Sequence, residues 1–179
     1  AFTMGAQVTL IYGRTDIPAP ERINKIYAPN HNEMRQVIME NAANFDIFIS
    51  VAAISDYLPT RINGKIKKGK KLTLELTKSS DILKDTASKF NHLFCVGFSA
   101  ESESIIKNGQ LKLKNKGVDL IVANSINESM GEKSAEIYLV DPNEVIHITK
   151  RDKNELAVEI MNHVHKLTKE KGHINEHIN

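Results

Sequence analysis

Four short runs in this chain, QVTLIY at 7–12, DIFISV at 46–51, LFCVGF at 93–98 and VDLIVA at 118–123, are almost wholly apolar. A strand wetted on one side alternates apolar and polar residues. A run without that alternation needs cover on both faces. Between the runs lie segments with helical spacing, such as Met34, Val37, Ile38 and Ala42. Strands and helices alternating in this way build a mostly parallel sheet with helices on its faces, so the predicted fold class is α/β. No internal repeat and no linker interrupts the pattern, and one domain over residues 1–179 is expected.

Within that frame, Ala1–Met4 reads as the end of a helix with Gly5 as its C-cap, and Asn24–Ala28 as a second short strand. Asn30 or Asn32 is positioned to cap the first long helix. Pro59–Leu76 breaks the alternation. It reads as an extended excursion that returns through the strand Leu72–Leu76, and excursions of this kind often pair with a second copy. Ser80 or Asp81 starts a helix running to about Lys89, and Glu101 one running to about Asn115. A hairpin turns at Asp141-Pro142-Asn143 between strands Ala135–Val140 and Val145–Ile148. The last helix, Asp152–Thr168, carries Leu156, Ile160, Val164 and Leu167 on one face. The polar remainder, 169–179, reads as a frayed tail. A doubly wound sheet places a strand and a glycine-rich turn before the opening helix, so the chain reads as a piece of a longer protein that lacks both here.

Composition narrows the function classes. Hydrophobic content of 41% with 26% charged residues is ordinary for a soluble domain. No run approaches the roughly 20 apolar residues that span a bilayer, so a membrane role is not expected. The net charge of +2 is small, and its positive part is local, at Lys65–Lys71, Lys107–Lys116 and the C-terminal tail. Trp is absent and aromatics make up 6%, which disfavours a base-stacking surface and a nucleic-acid partner. The single cysteine, Cys95, sits in LFCVGF and reads as a buried strand residue rather than a catalytic thiol. One cysteine forms no internal disulfide, which makes the cytoplasm the expected compartment. His163 and His165 face different ways on a helix, and no metal site is assigned.

The stretch Val51–Leu83 carries the chemistry. An apolar strand end delivers an acid, Asp56; Lys65, Lys67 and Lys68 follow, and then the helix start Ser-Ser-Asp. Acid, lysines and free helix-start amides in this order are what a nucleotide phosphate site is built from. Each residue also has a plainer reading. Asp56 suits a turn at a strand end, Lys65 a solvated loop, Phe98 the core, Lys112 and Lys116 a solvated helix face, and Asn124 a turn.

Six segments in order give the chain a wider likeness. GAQVTLIYG, AAISDYLP, GKIKK, TKSSDIL, VGFSAES and DLIVANS resemble the second strand and the A-A-x-A-D-Y/F, K-I-K-K, N-P-D-I-L, V-G-F-A-A-E-T and D-x-I-x-A-N-D segments of phosphopantothenoylcysteine synthetases. The resemblance covers essentially the whole chain and implies a Rossmann-like sheet, with 59–76 as a dimerisation flap. It implies a ligase that condenses 4′-phosphopantothenate with cysteine through an acyl-cytidylate, converting CTP to CMP and pyrophosphate in coenzyme A biosynthesis. Mg²⁺ would accompany the CTP. Partners would be a second copy of the chain and a fused or associated flavin-dependent decarboxylase.

By the same resemblance Asp56, Lys65, Ser80, Asp81, Ile82, Leu83, Phe98, Lys112 and Lys116 would bind the nucleotide. Lys65 and Asn124 would serve catalysis, and Ala53 would touch substrate. Ser80 stands where the family usually has Pro, Ser125 where Asp commonly follows Asn, and Ala135 in a loop where Asn is common. The family segment that holds phosphopantothenate, with its N-x-S-S-G residues, has no counterpart in the sequence. Two other readings remain open at this point: a non-catalytic nucleotide-binding or scaffold domain, and an RNA-binding domain using KIKKGKK.

Overall fold

The computed structural model describes residues 1–60, 64–65, 69, 71–126 and 132–172. Its core is a five-stranded sheet of β3 (Ile47–Ser50), β6 (Phe94–Glu101), β7 (Leu120–Ser125), β8 (Ser134–Val140) and β9 (Val145–Asp152), in that order. The first three run parallel, while β8 and β9 close the sheet as an antiparallel hairpin. β1 (Thr9–Tyr12) and β2 (Asn24–Tyr27) form a separate parallel pair. β4 (Tyr57–Pro59) and β5 (Leu76–Lys78) form a small antiparallel ribbon. The α/β class with a mostly parallel sheet is thus the observed one.

Side chains alternate along β6 and β7, which divides the core in two. Phe94, Val96, Leu120 and Val122 face α4 (Lys153–Glu170), which contributes Leu156, Ile160, Val164 and Leu167. Cys95, Ile121 and Ala123 face the other way, towards Leu83 of α2 (Ile82–Lys89) and Leu113 of α3 (Ile105–Lys116). α1 (His31–Asn41) packs Met34 and Ile38 against Ile82, with Ile11 of β1 and Phe48 of β3 in the same cluster. The small β1–β2 pair is therefore tied to the main sheet through α1.

Caps set the helix starts where the sequence places them. The Asn30 side-chain oxygen accepts from the Glu33 amide at 3.1 Å, and its side-chain NH₂ donates to the Glu33 carboxylate. Asp81 caps α2 by accepting from the Lys84 amide, and Asp152 caps α4 by accepting from that of Asn154.

Three expectations need correction. The strand expected over Leu72–Leu76 forms only at Leu76–Lys78, because its ladder follows the partner Tyr57–Pro59, extended by one bond from the Thr60 amide to Glu75. The helix expected from Glu101 begins at Ile105. Glu101 stays in the sheet opposite Ser125, and its carboxylate is engaged by Ser99, Asn108 and Lys112. Gly117 ends that helix in the left-handed region at φ 63°, where its amide reaches back to Leu113 and Lys114. The tail expected to fray from Lys169 is anchored further on. α4 runs to Glu170, and Lys171 pairs with Asp119 while its ammonium lies 5.8 Å over the Phe94 ring. Residues 173–179 lie outside the described residues.

Candidate functional site

The carboxyl ends of β3, β6 and β7 point to one edge of the sheet, where open α/β folds place their ligands. Two groups of polar side chains gather there, and α3 supplies a lysine to each. Lys112 and Lys116 lie one helical turn apart on the same face.

The first group joins α2, α3 and the strand-end segment around Asp56. The Ser79 amide donates to the Asp56 carbonyl at 2.8 Å, and the Ser79 hydroxyl to the Ser55 carbonyl at 2.7 Å. Ser80 follows, and its carbonyl accepts from His31 Nε2 at 2.9 Å. Asp81 then accepts the Lys84 amide on Oδ1 and Lys116 Nζ on Oδ2, the latter at 2.8 Å. Partial burial would raise the Asp81 carboxyl, but hydrogen bonds from Lys116 and the Lys84 amide outweigh it and hold the group below its ordinary range.

The second group sits on the same face of the sheet, at the end of β6. Lys112 Nζ lies 2.6 Å from Glu101 Oε1 and 2.9 Å from Ser99 Oγ. Asn108 donates to Glu101 Oε2 at 3.2 Å. The Glu101 side chain is 13% exposed. Burial raises this carboxyl too, and the bonds from Lys112 and Ser99 again pull it below the usual carboxylate range. Each lysine is thus paired with an acid, and the two lysine side chains are 42% and 29% exposed.

The remaining expected site residues fall into three places. Ile82 and Leu83 are buried at 3% and 7% exposure, so both are core anchors at the start of α2. Ala53, Asp56 and Lys65 are exposed on the way out of β3 and into the excursion. Lys67 and Lys68 lie outside the described residues. Phe98, 38% exposed, and Asn124 share the opposite face of the sheet, the one that carries Val96 and Val122, so the structure does not gather them with the two lysines.

Sequence reasoning missed His31, Ser99, Glu101 and Asn108. Ser99 and Glu101 were within reach, since VGFSAES places them two apart and so on one side of a strand. His31 stands 49 residues before the carbonyl it binds, and no spacing rule connects them. Cys95 is 1% exposed, and burial, aided by Asp119, pushes its thiol up to about 12, which fits the inert strand residue expected.

Residues 1–167 match the family model described as "DNA/pantothenate metabolism flavoprotein C-terminal domain". The chain is 34% identical over 166 residues to the coenzyme A biosynthesis bifunctional protein CoaBC of Borreliella burgdorferi, covering 90% of this chain and 42% of that protein. It thus spans less than half the length of that relative. Among solved structures, the C-terminal domain of a CoaBC superposes with a TM-score of 0.81 at 24% identity, over 94% of this chain and 78% of that one. A Cab2 variant in complex with phosphopantothenate-cysteine superposes at 0.60 with 15% identity, over 83% and 56%. These last two show a shared fold. With nearly its full length matched by the family model, the chain belongs to the DNA/pantothenate metabolism flavoprotein C-terminal domain family.

Proposed function

We propose that this chain is the nucleotide-binding part of a phosphopantothenate–cysteine ligase that works in coenzyme A biosynthesis and uses CTP. The observation that carries the reading is the placing of Lys112 and Lys116 at the sheet edge, one against Glu101 and one against the cap of α2. Family membership and the CoaBC relatives support the substrate class of this reading. The carboxylate of 4′-phosphopantothenate would attack the α-phosphate of CTP and expel pyrophosphate. The cysteine amine would then displace CMP from the acyl-cytidylate. Positioning and charge neutralisation carry such chemistry, and two partly exposed lysines suit the triphosphate. Among the described residues no group of three or more His, Cys, Asp or Glu could hold a metal ion. In this proposal Mg²⁺ therefore rides on the triphosphate, in keeping with its habit of leaning on substrate phosphates, and no step is assigned to it.

Calorimetry with CTP and ATP in the presence of Mg²⁺ tests the nucleotide. CTP is expected to bind at least about tenfold more tightly, which is ~1.4 kcal/mol. Equal affinities would remove the CTP assignment. The activating half-reaction is read separately, as pyrophosphate released from CTP and 4′-phosphopantothenate before cysteine is added. CTP binding without that release would favour a non-catalytic nucleotide-binding domain.

The same reading includes a homodimer built through the excursion. Leu72, Leu74 and Leu76 are spaced by two and are each 55–58% exposed, beside Tyr57 at 57%. Leucines repeated on one side of an extended segment need a cover, and a second ribbon supplies a matching one. Sedimentation equilibrium should give a dimer for the natural sequence and a monomer for Leu74→Glu/Leu76→Glu. A monomeric natural protein would end the dimer proposal.

A further inference from the structure

We propose that His31 is a positioning residue for nucleotide recognition, holding in place the Ser80–Asp81 turn through which the base is read. The proposal rests on the nucleotide reading above and adds to it a residue that the motifs do not contain. His31 opens α1, directly after the Asn30 cap. A carbonyl oxygen only accepts, so the 2.9 Å contact means that His31 Nε2 carries the hydrogen and donates it to Ser80. With Nε2 carrying the hydrogen, Nδ1 is an acceptor, 3.4 Å from the Asn32 side-chain amide.

The stretch 79–81 is tied to three different parts of the fold. Ser79 binds the Ser55 and Asp56 carbonyls, Ser80 binds His31 of α1, and Asp81 binds Lys116 of α3. One turn further along α1, Arg35 reaches Asp85 of α2 at 3.2 Å, so α1 holds both the start and the body of α2. Ile82 and Leu83 are buried and offer no side chain to a ligand. Recognition by this segment therefore falls to the exposed Ser80–Asp81 turn, and recognition groups discriminate only when held to within about half an ångström. The His31 ring is half-buried and belongs to none of the apolar clusters. Its loss should leave the core intact and loosen the turn.

The test compares the natural protein with His31→Ala and His31→Gln, titrated with CTP, ATP and inorganic pyrophosphate in Mg²⁺. Glutamine Nε2 can donate to the same carbonyl. His31→Ala should bind CTP about tenfold more weakly, the worth of one lost hydrogen bond. Its pyrophosphate affinity should stay within about twofold and its CTP-to-ATP ratio should fall towards one, while His31→Gln keeps most of that ratio. Without ligand, amide exchange at Ile82, Leu83 and Lys84 should quicken in His31→Ala and not in His31→Gln. The proposal is overturned if His31→Ala keeps its CTP-to-ATP ratio, or if CTP and pyrophosphate weaken together. Should His31→Ala not fold, a folded His31→Gln with a collapsed ratio overturns it and one with a retained ratio supports it. A natural protein that shows no CTP preference removes the nucleotide reading itself, and this proposal with it.

Discussion

Asp141→Ala is expected to cost about 3–5 kcal/mol of folding stability, a large share of what a domain of this size holds. Asp141 follows β8 at the opposite edge of the sheet from the candidate site, and its side chain is fully buried. One carboxylate oxygen accepts the amides of Asn143 and Glu144 at 2.7 and 3.0 Å, which shapes the β8–β9 turn. The other accepts His163 Nε2 at 3.0 Å, from a side chain that is 6% exposed. Removing the acid leaves two turn amides and a buried imidazole without their acceptor. Asp141→Asn should cost less than half as much, since its amide oxygen can keep both turn bonds while the imidazole changes tautomer to accept from its NH₂. Urea unfolding measures both variants. A loss below about 1 kcal/mol for Asp141→Ala would show that this buried pair contributes little.

The hairpin that Asp141 organises was legible because Asp-Pro-Asn between two β-rich runs can do little else. The parallel strands were legible for a similar reason, since runs without alternation such as LFCVGF must be covered on both faces. β6 nevertheless runs on to Glu101, past the predicted end at Phe98. Ser99 and Glu101 are polar, and polarity usually marks the end of a strand. Here it marks side chains that serve α3, and the pattern of one strand cannot reveal that the partner is a lysine on the next helix. The leucines of KLTLEL misled in the opposite sense. Their alternation is real, but a ladder needs a partner, and among the described residues pairing reaches only from Leu76 to Lys78. The spacing of four places the two lysines on one helix face and the capping context places Asp81 at a helix start, but only the family resemblance assigns them to a nucleotide. The same resemblance puts Phe98 with them as a nucleotide contact and gives Asn124 a catalytic role beside Lys65. Strand alternation places both on the other face of the sheet, a distinction that a list of motifs does not carry.

Gly97→Val should unfold or severely loosen the domain, at a cost of about 3 kcal/mol or more, for a reason that connects the core to the site. A β-carbon at Gly97 would stand 2.6 Å from Leu83 Cδ2 and 2.9 Å from Ile121 Cδ1. Both distances are well inside van der Waals contact. Leu83 and Ile121 are 7% and 1% exposed, so neither methyl group can swing out into water. The bare backbone of β6 is what lets α2 come close enough for Asp81, two residues before Leu83, to meet Lys116 of α3. Gly97→Ala is the milder probe, expected to cost about 1–3 kcal/mol. Truncation of Leu83 makes room for the added methyl, so Gly97→Ala should cost at least about 1 kcal/mol less in a Leu83→Ala background than in the natural one. On the proposed nucleotide reading, the same substitution should also weaken CTP binding, and Leu83→Ala should not restore it fully, because the shortened side chain no longer anchors the start of α2. Simple additivity in the double-mutant cycle would mean that α2 does not rest on β6 through this glycine.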